Sequence, residues 1–174
     1  MNASPRLLTL LLTCPLPALA AGSAVLWPPG WDVQPLPVEP GSDASRERAV
    51  KADGNGDPEM VVELTRTGVD PGHQVNIEAV VLQMRKASQS DLARQGYQSA
   101  CTPLRAGTLG GLNSAQTTCQ ITLNGGHVMT QTLVAASSAR AAWSLSYAGT
   151  VAGYAAHQAE VEGIRSTLVL DSQP

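Results

Sequence analysis

The sequence predicts an α+β protein: a meander-rich antiparallel sheet of about seven strands, covered by two helices. Three observations predict it. From Tyr97 onward apolar and polar residues alternate with the period of two that strands require. Gly110-Gly111 and Asn124-Gly125-Gly126 punctuate that stretch at hairpin spacing. Residues 77–95 and 155–168 instead carry apolar side chains at helical spacing, and such stripes must be hidden against the sheet.

Each element follows from local chemistry. Residues 21–44 hold Pro28, Pro29, Pro35, Pro37 and Pro40, so this opening reads as loop with a short edge strand at 31–34. An edge tolerates prolines because no partner needs their missing N–H. Residues 46–53 and 59–67 read as two strands, the second alternating Met60, Val62 and Leu64 with Val61, Glu63 and Thr65. Asn76 is an N-cap for the first helix and Gly96 stops it. Ile77, Val80, Val81, Met84, Ala87 and Leu92 form its inner stripe, with Arg85, Lys86, Gln89 and Arg94 directed elsewhere. Four longer strands follow, at 97–106 (weakened by Pro103), 115–123, 127–136 and 141–149. Ala115, Cys119, Ile121 and Leu123 share one face, and Val128 and Val134 are set opposite Ile121 and Ala115. The last helix points Val161, Ile164 and Leu168 inward. One domain over 45–170 results, with 27–34 packed on it and 171–174 as a tail.

The amino terminus has the pattern of an export signal. Arg6 gives a positive start, an apolar run spans Leu7–Leu19, and Ala18-Leu19-Ala20 is the small-x-small site that signal peptidase cuts, between Ala20 and Ala21. The run is too short and too proline-rich to span a bilayer. The expectation is a periplasmic protein with no transmembrane helix in its mature chain and with secretion beyond the outer membrane left open. A lipoprotein reading at Cys14 is the weaker alternative, because Thr13 stands where a small residue should.

With 11 basic and 14 acidic residues the net charge is −3, and no basic stripe exists to track a nucleic acid. Cleavage would leave Cys101 and Cys119. Their midpoint falls at Gly110, so a hairpin closing there sets them opposite each other on neighbouring strands, at a separation a disulfide can bridge. A redox pair is the weaker reading, since such pairs sit close in sequence.

No chemistry-bearing motif stands out. Asp53-Gly54-Asn55-Gly56-Asp57-Pro58 imitates the start of a calcium loop, but Pro58 and Leu64 replace the required Gly and Glu, and a turn explains every residue. No metal and no cofactor is expected. His73, His127 and His157 lack the two-His spacing of a zinc helix, no Gly-x-Ser-x-Gly elbow is present, and no Gly-x-Gly-x-x-Gly follows a strand. The chain has no Phe, so all six rings are Trp or Tyr. Trp27, Trp31, Trp143 and Tyr147 are the candidate ligand or partner surface; the competing reading packs them in the core.

The order of elements resembles the PsbP/Mog1 superfamily, which includes DcrB-type lipoproteins. The resemblance rests on Pro29-Gly30-Trp31-Asp32-Val33, the helix after the third strand, the long meander, and a closing helix after Trp143-Ser144-Leu145-Ser146-Tyr147. The chain also resembles a family of small exported Gram-negative proteins, a domain of unknown function, in Leu64-Thr65-Arg66-Thr67, Gly96-Tyr97-Gln98-Ser99 and Ser144–Gly149. These resemblances imply an accessory or binding role and bring no catalytic residue. The expected function is a non-catalytic periplasmic binding or accessory module, engaging an envelope protein or a small ligand. The alternative is an apolar-ligand carrier, or a hydrolase whose site is assembled from distant residues.

Overall fold

A computed structural model describes residues 25–170. The signal segment 1–20, its Ala20/Ala21 cleavage site, Cys14 and the tail 171–174 lie outside the described residues.

The described chain runs β1 (Asp32–Pro35), β2 (Ala44–Ala52), β3 (Pro58–Gly68), α1 (Ile77–Arg94), β4 (Gln98–Cys101), β5 (Arg105–Leu109), β6 (Leu112–Leu123), β7 (Gly126–Ser137), β8 (Ala141–Thr150) and α2 (Val151–Thr167). The strands form one open antiparallel sheet in the order β1-β2-β3-β8-β7-β6-β4, with β5 also paired to β6. Architecture and helix number match the sequence expectation. The strand count is eight rather than seven, because 97–106 is not one strand. Pro103 cannot donate to the ladder, so pairing stops after Cys101 and resumes at Arg105, one residue out of step: Cys101 faces Cys119, whereas Arg105 faces Gln116.

Both tight hairpins use left-handed residues. Gly110 and Gly111 have φ of 54° and 80° between paired Leu109 and Leu112; Asn124 and Gly125 have 49° and 80° between Leu123 and Gly126. Positive φ at both central positions is the type I′ geometry that matches strand twist. One consequence overturns an expected face. Beside the second turn Thr122 pairs with His127, but a bulge at Val128 shifts the register, and Ile121 then pairs with Met129 and Ala115 with Ala135. A one-residue shift moves every later side chain to the other face. Val134 therefore faces α2 alongside its partner Leu145, and Leu133 and Ala135 face α1.

The helices lie on opposite faces. α1 begins where the Asn76 side chain accepts from the Ala79 N–H at 3.0 Å. It ends in a Schellman closure, with Gly96 at φ 86° and the Tyr97 N–H bonded to the Leu92 carbonyl. α2 starts one turn earlier than its apolar pattern suggests. Thr150, the last residue of β8, is already its N-cap and accepts from Gly153 N–H at 2.9 Å. Alternation on β8 then sorts the layers: Trp143, Leu145 and Tyr147 enter the core under α2, while Ser144 and Ser146 look to the α1 side. A smaller core of Val81, Ala115, Leu133 and Ala135 lies under α1.

Candidate functional site

The four rings proposed as a surface are mostly interior. Trp143 is 1 % exposed and Tyr147 6 %, both in the core beneath α2 with Trp31; Trp27 is half-buried against the same core. Trp27 and Trp31 are together, centroids 6.1 Å apart, whereas Trp143 and Tyr147 are packed into the core beneath α2. The reason is α2, which descends directly from Thr150 and covers the apolar face of β8. Tyr147 stacks on Tyr154 of α2 at 5.7 Å, and its hydroxyl accepts from Arg165 at 3.1 Å. Tyr154 in turn bonds Thr132 at 2.6 Å, and burial pushes its pKa up to about 12. These groups brace α2 on the sheet.

Around Trp31 the structure assembles a polar clasp that sequence reasoning missed. The Trp31 indole N–H donates to Glu160 at 2.7 Å, and Lys51 lies 3.5 Å from the same carboxylate. His157 is gripped on both ring nitrogens, Nδ1 3.1 Å from Glu160 and Nε2 2.6 Å from Glu59. The Glu59 hydrogen bond raises the imidazole pKa; burial opposes this, and Glu160 adds to the rise. For Glu160 burial pushes upward, but Trp31, His157 and Lys51 together outweigh it and the carboxyl ends below its usual value. No nitrogen of His157 is left to take a proton from a substrate, so this constellation joins segments. The spacing His157-x-x-Glu160 was its one visible signal. His127 lies apart, exposed, its ring on Met129 O and Thr130 of its own strand.

The Asp53 loop has the chemistry of a turn. Asp53 Oδ1 accepts from the N–H groups of Asn55 and Asp57 at 2.8 and 2.9 Å, which lowers its pKa. Cys101 and Cys119 are joined across β4 and β6. Gln89, assigned to the outer side of α1, instead turns to the sheet edge and donates to Ser99 O at 3.1 Å, with Cys101 Sγ at 3.6 Å. Ala87 takes the exposed position. The inner side of α1 is therefore partly polar toward its C-terminus.

That polarity belongs to a cleft. α1 packs on β4, β6 and β7 and leaves β2, β3 and the far side of β8 uncovered on this face. Between the helix and the bare strands lies a cleft of about 490 Å³. Thr65, Ser144 and Ser146 line its floor; Ser88, bonded to Gln131 at 2.7 Å, and Met84 line the helix side. Arg46 and Glu63 stand at its outer end. Thr65, Ser144 and Ser146 lie in segments that carry the family resemblance, but nothing in the sequence marked them as a cleft, because small polar side chains on alternate strand positions are also the pattern of a solvated face.

Three comparisons bear on this geometry. A family described as "Domain of unknown function (DUF4946)" matches residues 22–170. No curated protein matches the chain. Among solved structures, the solution structure of cyanobacterial PsbP (CyanoP) from Synechocystis sp. PCC 6803 is similar with a TM-score of 0.61 at 12 % identity, over 86 % of each chain. LpqN, involved in cell envelope biogenesis of Mycobacterium tuberculosis, is similar with a TM-score of 0.49 at 19 % identity, over 84 % of this chain and 82 % of that one. At these identities the PsbP likeness speaks to the fold.

Proposed function

This chain belongs to the DUF4946 family, and from that premise we propose that it is a periplasmic, non-catalytic binding or accessory module whose contact site is the cleft beside α1. One observation carries the reading. The two helices cover different parts of the sheet, α1 over β4, β6 and β7 and α2 over β3, β7 and β8, so a concave polar surface is left at the flank of α1. Its hydroxyl, amide and guanidinium groups are suited to hydrogen-bonding a partner. His157, held at both nitrogens, supports a structural rather than an acid–base role.

The export half of the proposal is supported by the signal pattern of residues 1–20 and by a cysteine pair joined across two strands, which suits an oxidising compartment. Burial of Trp143 and Tyr147 under α2 favours this reading over an apolar carrier that would present those rings to a ligand.

The test places a photoreactive amino acid at Ser146 in the cleft and, separately, at Lys86 on the exposed side of α1, in the protein expressed with its own signal. Expected are a mature chain starting at Ala21 and envelope adducts from position 146 but not from 86. Equal labelling from both positions would remove the cleft from the proposal, and a retained residue 1 would remove the export.

A further inference from the structure

We infer that the cleft takes an extended peptide segment and reads an acidic side chain on it through Arg46. The inference rests on the cleft being the contact site. The charge distribution within it supplies the argument. Glu63 is committed to Arg48, whose Nε lies 2.7 Å from Oε1, while Arg46 approaches the other oxygen only at 3.7 Å. Asp91, on the helix side, is paired with Arg94. The two acids are thus each matched by another arginine. Arg46 and Arg48 share the single carboxylate of Glu63, which leaves an excess positive charge at this end; Arg46, its side chain 43 % exposed, meets Glu63 only at 3.7 Å and donates no close hydrogen bond to a described group. A guanidinium in this state complements a carboxylate, which it can hold through two parallel hydrogen bonds.

The shape favours a peptide. The cleft crosses the strands from Gln131 on β7, over Ser144 and Ser146 on β8 and Thr65 on β3, to Arg46 on β2. Three strand spacings are about 14 Å, the reach of about four extended residues. Past Arg46 and Thr65 the surface continues into a second hollow of about 340 Å³ beside Pro37 and Val38, where an apolar side chain fits. Hydroxyls and a side-chain amide along the way match the alternating donors and acceptors of a main chain. No aromatic ring lines either hollow, so a sugar ring would find no stacking platform.

The experiment is an amide chemical-shift titration of the mature, disulfide-bonded protein. Its probes are acetyl-Ser-Glu-Ser-Ser-amide, the same peptide with Gln for Glu, and digalacturonate. Expected are shifts at Thr65, Ser144 and Ser146, with the Glu peptide bound about fivefold more tightly than the Gln peptide, the scale of one exposed ion pair. Arg46→Gln should erase that difference, and Glu63→Gln, which removes a competing carboxylate, should enlarge it. Opposite signs from two neighbouring substitutions cannot come from partial unfolding. Equal affinity for the two peptides at the cleft would overturn acidic recognition while leaving the cleft a contact site. Silence from all probes, with crosslinking from position 146 retained, would overturn the peptide inference and spare the functional reading; silence in both would end both. Binding of digalacturonate without either peptide would replace the peptide with an acidic glycan.

Discussion

Trp31 and Glu160 are 129 residues apart in the chain, and the indole N–H of one donates to the carboxylate of the other at 2.7 Å. This bond joins the residue just before β1 to the middle of α2. His157 and Lys51 converge on the same carboxylate and Glu59 on the imidazole, so β2, β3, α2 and the opening segment meet at one clasp. Its strength depends on the charge of His157.

Stability should therefore vary with pH in a defined window. The folded-state pKa of His157 is raised, so its contribution is complete below the unfolded value near 6.5 and is lost as pH rises through the folded value. Glu160 is lowered, so its contribution is present above the unfolded value near 4.5 and is lost as pH falls through the folded one. Between these limits the clasp is at full strength. The wild-type Tm is expected to be higher at pH 5.5 than at pH 8.5, with the difference shrinking in His157→Gln. Parallel Tm losses in both proteins would locate the pH dependence elsewhere.

Two glycines of α2 should respond in opposite directions. A Cβ at Gly153 would sit 2.9 Å from the Glu59 carbonyl carbon, where helix and β3 backbone touch, whereas a Cβ at Gly163 meets nothing within 4 Å. Gly153→Ala is expected to destabilise by about 2 kcal/mol, within the range for overpacking. Gly163→Ala is expected to stabilise by about 0.5–1 kcal/mol through helix propensity. Urea melts of the two variants measure this; a Gly153→Ala protein as stable as wild type would show that α2 does not seat on β3 so closely.

The bond between Cys101 and Cys119 closes a loop with a sequence separation of 18. Cys119→Ser is expected to cost about 3 kcal/mol, the chain-entropy estimate for a loop of this length. Reduction of the wild type should lower its Tm to that of the variant. A variant that melts with the oxidised wild type would show that the bridge contributes nothing.

Sequence alone determined the elements whose causes are local. The Asn76 cap and Gly96 stop bound α1, Gly110-Gly111 and Asn124-Gly125 place the two tight hairpins, and strict alternation from Trp143 to Tyr147 marks β8, since each signal acts within a few residues of its effect. The turn at Gly110-Gly111 brought Cys101 within one residue of its partner, opposite Gln120 in the hairpin register, and the slip after Cys101 completed the match to Cys119. Tertiary structure decided what alternation cannot specify, namely which side of the sheet each stripe meets. The bulge at Val128 sent Val134 to α2, and the immediate start of that helix at Thr150 buried the rings. Glu59, Lys51, His157 and Glu160 are scattered polar residues in sequence, as are Arg46, Glu63, Ser144 and Ser146. A clasp and a cleft exist only because strand order in an open sheet brings distant segments side by side, and that order is set by the whole core rather than by any local signal.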